Sequence, residues 1–150
     1  MTSSQRAYRT SATEGATHID ILLACYDALA EDIRLAGKFA VKDDVVSRCR
    51  HSERALLLIG HLESWVSLLD DPELAESLTS FYQYLRAEIL RLQTSSELER
   101  FMALALVVCE TRAVWQNKQS VKRSQTGEAA EPAYSTGEPD GSTARFLASA

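Results

Sequence analysis

The stretch ATHIDILLACYDALAEDI, residues 16–33, indicates an all-α fold, because its apolar residues recur at the three- and four-residue spacing of a helix. Placed at 100° per residue, these residues and those up to Phe39 divide into a core stripe, a polar sector and a second, weakly polar or apolar strip that Asp32 interrupts. This helix therefore has two faces to bury, although a bundle helix needs an apolar arc of only about 100°. The core stripe is Leu22, Cys25, Tyr26, Leu29, Ile33 and Ala36; the polar sector is Asp20, Asp27, Glu31, Arg34 and Lys38; the second strip is Ile21, Ala24, Ala28, Leu35 and Phe39.

The helical pattern recurs three more times along the chain. Thr17 is a plausible N-cap for the first helix, and Asp71 followed by Pro72 is typical of a helix start. Short connections between long helices favour antiparallel neighbours, so we predict an all-α, antiparallel up-down four-helix bundle. The predicted helices span about residues 17–40, 44–69, 72–92 and 97–118.

The two ends of the chain differ from the bundle in composition. Residues 1–16 are predicted to form an N-terminal arm, and residues 17–119 the helical-bundle domain. Residues 120–150 have few apolar residues, several Gly and Pro, and no periodicity, so we predict a disordered, flexible C-terminal tail.

Helices two and four also contain more apolar residues than one buried face requires. FMALALVVC, residues 101–109, has no charged residue and is apolar all round. The surplus can form inner surfaces of a tightly packed bundle, with or without completion by a homodimer, or it can line grooves that bind an apolar helix of another protein. Helical periodicity does not separate the two explanations. The candidate groove residues from helical geometry are Ile21, Leu35, Phe39, Leu57, Trp65, Leu104 and Val107.

Charge and hydropathy exclude several classes of partner. The net charge of −5 opposes binding to nucleic acid or to a membrane surface, since both need clustered Lys and Arg. No run of about 18 apolar residues could span a membrane, and the N-terminal residues do not resemble a signal peptide. We therefore expect a cytoplasmic protein.

The sequence contains no recognisable catalytic or metal-binding motif. None of the three histidines has a glutamate three residues before it, as the metal-binding helices of di-iron bundles require. Cys25, Cys49 and Cys109 are odd in number and widely spaced, which favours buried free thiols over a disulfide framework or a metal site. We predict no enzyme activity, no cofactor and no metal.

Short motifs follow one another in a specific order over residues 7–118. They are an Ala-Tyr pair at residues 7–8, LLACYDA at 22–28, Leu69-Asp70, ELAESL at 73–78, FYQYL at 81–85 and Trp115. In their order and spacing, these motifs resemble those of the FliS family, the flagellar export chaperones for flagellin. The family's counterparts include an Ala-Tyr pair, a Leu-Tyr-Asp-Gly signature on the first helix and a tryptophan that closes the last long helix.

The resemblance implies a function that would use the surplus apolar surface. A FliS chaperone binds the C-terminal helical segment of flagellin, prevents premature polymerisation and delivers flagellin to the export gate of the flagellar type III apparatus. By the same resemblance, Tyr8 belongs to an arm that covers a groove or contacts the export gate. Four further residues match the family's signature segments, for which we expect a structural role: Tyr26, Asp27, Tyr82 and Tyr84.

The alternative hypothesis is a homodimeric helical-bundle scaffold that has no flagellin client. It predicts a dimer at all practical concentrations and no affinity for flagellin. Under the chaperone hypothesis, a homodimer would form only when no client is bound.

Overall fold

The computed structural model describes the backbone of residues 3–128 and the side chains of residues 18–125. Within that part of the chain there are four α-helices, one short 3-10 helix and no strand, which confirms the predicted all-α bundle. The helices are α1 (Ser3–Val41), α2 (Val45–Val66), α3 (Pro72–Arg91) and α4 (Leu98–Glu128), with the 3-10 turn Leu92–Thr94 directly after α3. None of the described helices is both long enough and apolar enough to cross a membrane.

In the contacts between neighbouring helices, the residue number rises along one helix as it falls along the other. Ser52 of α2 pairs with Gln93 of the 3-10 turn after α3, and Glu63 of α2 pairs with Arg86 of α3; between α1 and α4, Asp27 pairs with Arg112 and Gly37 with Phe101. This antiparallel order is the predicted up-down topology. The largest fully buried side chains come from all four helices: Tyr26, Leu29, Ile59, Leu62, Tyr82, Leu85, Phe101 and Val108.

The two largest errors in the predicted helix ends are the start of α1 and the end of α4. The backbone is helical from Ser3, so Thr17 lies inside α1 and does not cap it. The preceding residues contain no proline, and a capping side chain starts a helix only where the chain before it leaves the helical conformation. At the other end, α4 passes the predicted stop near Lys118 and continues to Glu128, because neither Pro nor Gly occurs between residues 119 and 126.

The remaining end segments lie largely outside the described side chains. Residues 129–150, to which most of the predicted tail belongs, are outside the described residues altogether. The chain divides into two units, Met1–Gln116 and Asn117–Ala150. The contacts that join the helices at Asp27, Gly37, Ser52 and Glu63 all lie within the first unit, and the described part of the second is the end of α4.

A tight turn connects α1 to α2. Asp43 adopts the left-handed conformation with φ of 56°, which Asp tolerates better than most non-glycine residues. The Asp44 carboxylate then accepts a hydrogen bond from the Ser47 amide at 3.0 Å and caps α2. That hydrogen bond lowers the pKa of Asp44 below its ordinary value.

The start of α3 agrees with the prediction. Asp71 accepts hydrogen bonds from the amides of Glu73 at 3.1 Å and Leu74 at 3.2 Å. Pro72 occupies the first helical position, where its missing amide hydrogen has no consequence. α2 ends at Val66, earlier than the predicted Leu69, so the connection to α3 includes apolar residues.

Part of the second strip of α1 faces α2. Asp32 is only 3% exposed, and its Oδ1 accepts a hydrogen bond from Nδ1 of His51 at 2.9 Å. Its Oδ2 lies 3.6 Å from Nε of Arg54, which forms an ion pair with it. The His51 ring stacks on Phe39, with 5.5 Å between the ring centroids. Packing between α1 and α2 therefore covers part of the second strip of α1, including Phe39.

Gly37 allows α1 and α4 to approach each other closely. A Cβ atom at this position would lie 2.6 Å from Cβ and 2.8 Å from Cγ of Phe101. Phe101 is itself buried, and its Cβ cannot move without moving the backbone of α4. By contrast, a Cβ atom on Gly60 would meet no other atom within 4 Å.

We predict opposite effects of alanine at these two glycines. Gly37→Ala should lower the free energy of unfolding by about 1–2 kcal/mol, because the clash with Phe101 exceeds the gain in helix propensity. Gly60→Ala has no clash and should raise it by up to about 1 kcal/mol. Urea denaturation of both variants measures the difference, and stabilisation by Gly37→Ala would show that the helices are not tightly packed there.

Candidate functional site

One end of the bundle contains an apolar cleft with a volume of about 480 Å³, here called the end cleft. All four helices and the connection between α2 and α3 contribute to it. Among the side chains that the structure describes, its lining includes no Asp, Glu, Lys or Arg. The lining residues are His18, Ile19, Leu22, Leu62, Trp65, Val66, Leu68, Leu69, Leu78, Tyr82 and Trp115.

The up-down topology brings these residues together. The last turn of α2 and the first turns of α3 lie at the same end of an antiparallel bundle, together with the middle of α1 and Trp115 of α4. The connection contributes Leu68, which is 75% exposed, and Leu69, although connections usually carry polar residues. Contiguous apolar surface of this kind marks interaction sites in soluble proteins.

Three aromatic side chains form a hydrogen-bonded chain at the base of the end cleft. The hydroxyl oxygens of Tyr26 and Tyr82 are 2.8 Å apart, and both side chains are buried. Nε1 of Trp115 donates to the Tyr26 hydroxyl at 3.3 Å. These two hydrogen bonds connect α4, α1 and α3 beneath the cleft.

Burial changes the acidity of the two tyrosines. Desolvation raises the pKa of Tyr26, although its hydrogen bonds with Tyr82 and Trp115 partly oppose the shift. Desolvation and the neighbouring Tyr26 raise the pKa of Tyr82 further. Both hydroxyls therefore remain protonated and can donate hydrogen bonds.

A second depression, here called the side groove, lies between α3 and α4 and has a volume of about 310 Å³. Its lining mixes charged and apolar side chains, unlike that of the end cleft. The lining residues are Tyr84, Glu88, Arg91, Leu92, Arg100, Ala103, Leu104 and Val107.

The structure distributes the candidate groove residues over several surfaces. Trp65 lines the end cleft, whereas Leu104 and Val107 line the side groove. Leu104 is only 5% exposed and belongs to the core, because the apolar stretch of α4 faces the other helices on this side. Leu35 and Phe39 are half-buried, Ile21 is 44% exposed, and Leu57 is 68% exposed. The side chain of Tyr8 lies outside the described side chains.

The signature residues occupy two kinds of environment. Tyr26 and Tyr82 are buried at the base of the end cleft, whereas Tyr84 is exposed. Asp27 is exposed on α1, and its Oδ1 lies 2.6 Å from Nε of Arg112 on α4. The contacts of Tyr26, Tyr82 and Asp27 join helices.

Sequence reasoning did not identify most of the end cleft. Ile19, Leu22, Leu69 and Leu78 follow the ordinary periodicity of core residues, so the pattern contains no separate signal for them. A usable signal was the surplus apolar residues of the second predicted helix, since Trp65 and Leu68 are among them and both line the cleft.

The described residues contain no group of three or more His, Cys, Asp and Glu side chains that could hold a metal ion. The three cysteines are free and half-buried, and so less buried than the sequence predicted. Desolvation raises the pKa of Cys25, which disfavours the reactive thiolate. The sulfur of Cys109 accepts a hydrogen bond from Arg34 at 3.2 Å.

The raised pKa values predict a loss of stability at alkaline pH. An acid whose pKa is higher in the folded state stabilises the fold below its unfolded pKa, about 10 for tyrosine, and this stabilisation is lost as the pH rises above that value. Tyrosinate absorbance from two of the five tyrosines should therefore increase together with the loss of helical circular dichroism. Tyr82→Phe should halve the part of the tyrosinate absorbance that appears only when the helices are lost. Ionisation of all five tyrosines before any loss of helix would contradict the prediction.

Two comparisons with known proteins bear on the identity of the chain. No curated protein matches the chain significantly. A family model described as flagellar protein FliS matches residues 1–122, a range that includes every residue of the end cleft and the side groove. The chain therefore belongs to the FliS family of flagellar proteins.

Proposed function

We propose that this protein is a cytoplasmic flagellar export chaperone. It binds the C-terminal helical segment of flagellin, prevents its premature polymerisation and hands it to the flagellar type III export apparatus. Family membership supports the flagellar setting. The observation that carries the proposal is the end cleft, an apolar cavity of about 480 Å³ whose described lining side chains include no Asp, Glu, Lys or Arg.

The chemistry of the end cleft suits an apolar helix or a short apolar segment. Trp65 and Trp115 supply large, rigid contact surfaces, and apolar side chains surround them. A disordered client loses conformational entropy when it binds, so the chaperone must bury a large apolar area to compensate. The side groove offers a second contact surface for the same client, and its Val107 remains a proposed contact residue.

Release of the client would need no chemical step by this chain. We propose that competition at the export gate removes flagellin, and that Tyr8 in the N-terminal region contacts either the gate or a client groove. The exposed Ile21 and Leu57 remain proposed contacts at the edge of the binding surface, together with the half-buried Leu35 and Phe39.

Titration calorimetry with a peptide covering the C-terminal helical region of the organism's flagellin tests the proposal. We expect saturable binding, a gain of helix in circular dichroism and a negative heat-capacity change. Absence of binding, together with a stable dimer in light scattering, would favour the homodimeric scaffold.

Matched leucine substitutions locate the binding surface. Leu68→Ala should weaken peptide binding about tenfold, because Leu68 lines the end cleft and is 75% exposed in the free protein. Leu90→Ala is the control, since Leu90 is 55% exposed and lines neither the cleft nor the groove. Equal effects of the two substitutions would contradict a client site at the end cleft. Leu57→Ala, measured in parallel, shows whether the outer face of α2 also contacts the client.

Two aspartate substitutions in the side groove should behave differently. Leu104→Asp places a charge in the core and should cost several kcal/mol of stability, about 3 or more, with loss of helicity. Val107→Asp alters a half-buried position and should leave the helices intact while weakening peptide binding. Circular dichroism and calorimetry of both variants check this, and unchanged peptide affinity of Val107→Asp would remove the side groove from the client surface.

A further inference from the structure

The outer face of α2 has three exposed apolar side chains that line up along the helix. Val46 is 70% exposed, Leu57 68% and Leu68 75%. Three turns of an α-helix take about 11 residues, which is the spacing from Val46 to Leu57 and from Leu57 to Leu68. Leu68 follows the end of α2, but its amide donates to the carbonyl of Trp65 at 3.0 Å, so the chain still turns in the helical sense. The three side chains therefore project from the same side of the bundle.

The pattern on this face is symmetric about Leu57. A two-fold rotation about an axis through Leu57 places a second α2 antiparallel to the first, and residues equally distant from Leu57 then face each other. Val46 faces Leu68 of the second copy, Leu68 faces Val46, and Leu57 faces its own counterpart. All three exposed apolar side chains thus meet apolar partners in a single register.

The polar residues of the outer face also match under this rotation. Glu53 and His61 are exposed and lie one turn of helix to either side of Leu57, so the carboxylate of each copy meets the imidazole of the other. Arg50 and Ser64, both exposed, face each other one turn further out. No like charges face each other in these pairs, so the face is complementary to itself in charge as well as in hydrophobicity.

Gly60 gives a second, independent observation on the same face. A Cβ atom there would meet no other atom within 4 Å, so the bundle itself does not require a glycine at this position. Glycine inside a helix lowers its stability, and it is used where another backbone or a ligand approaches closely. Under the rotation, Arg54 of the second copy faces Gly60, and its Leu57 lies within about one turn of it. The missing side chain leaves room for both.

We infer that the outer face of α2 is a homodimer interface, in which two α2 helices pack antiparallel about a two-fold axis at Leu57. A face that matches itself under such a rotation is what an isologous dimer requires, whereas a different partner would impose no such symmetry. One pair of helices buries less area than a typical stable dimer, so the dimer is weak and depends on concentration. This inference goes beyond the proposed function and does not depend on it.

Disulfide cross-linking of the full-length protein tests the register. A mixture of the Val46→Cys and Leu68→Cys proteins should form a cross-linked dimer in oxidised glutathione. Either protein alone should not, because each new thiol lies about 33 Å from its own counterpart. Leu57→Cys, at the axis, should cross-link by itself. Wild-type protein is the control for the three native cysteines, and peptide mass spectrometry identifies the bond.

Sedimentation velocity at increasing concentration measures the dimer itself. Leu57→Asp should raise the dimer Kd at least about tenfold, because two carboxylates would face each other at the axis. Leu106→Asp is the matched control, since Leu106 is 58% exposed on α4 and lies outside this face. Circular dichroism checks that both variants keep their helices. Gly60→Ala should weaken the dimer about three- to tenfold although it stabilises the helix of the monomer.

A charge exchange tests the pairing across the axis. Glu53→Lys should weaken the dimer, and adding His61→Glu to it should restore the affinity. Within one helix these two positions are more than two turns apart, so restoration requires that they meet across the interface.

Three outcomes would overturn the inference. They are a wild-type protein that stays monomeric up to about 1 mM, equal cross-linking of the separate and mixed Val46→Cys and Leu68→Cys samples, and a dimer that Leu57→Asp weakens no more than Leu106→Asp does. None of these measurements uses flagellin. Their failure would therefore reject the dimer alone, and a failure of peptide binding would reject the proposed function alone.

Discussion

The hydrogen bond between the hydroxyls of Tyr26 and Tyr82 links α1 to α3, two helices that are not neighbours in the chain. The two tyrosine side chains are long enough for their hydroxyls to meet inside the bundle. Both hydroxyls need hydrogen-bond partners there, since an unsatisfied buried hydroxyl costs free energy. Trp115 extends the link to α4. The two hydrogen bonds therefore connect three of the four helices that line the end cleft.

The surplus apolar surface of the four helices has three separate uses in the structure. Some of it is ordinary core, as Leu104 and Phe101 on α4 show. Some of it packs between helices around a polar group, as Phe39 does against His51. The rest, which includes Trp65 and Leu68, lines the end cleft. The lining of this cleft includes no Asp, Glu, Lys or Arg among the side chains that the structure describes.

Polar groups inside the bundle reinforce the pairing of particular helices. Asp32 would be costly at 3% exposure without His51 and Arg54, and their positions on α2 fix how α2 packs along α1. Gly37 fixes the packing of α4 in a different way, because only a missing side chain leaves room for Phe101. Together these contacts set the register of the helices whose ends form the cleft.

The sequence by itself determined the helix count, the antiparallel order and the start of α3, because periodicity, short connections and the Asp71-Pro72 pair are local signals. It did not determine where α1 begins or α4 ends, since Thr17 can cap a helix but does not have to, and no proline interrupts residues 119–128. Only the tertiary structure placed Tyr82, and not Phe81, inside the bundle, and buried Leu104 while leaving Leu57 exposed. Periodicity orders residues around one helix, whereas burial depends on how closely its neighbours approach. The end cleft likewise exists only where the ends of different helices meet, and no local pattern in the sequence describes that meeting.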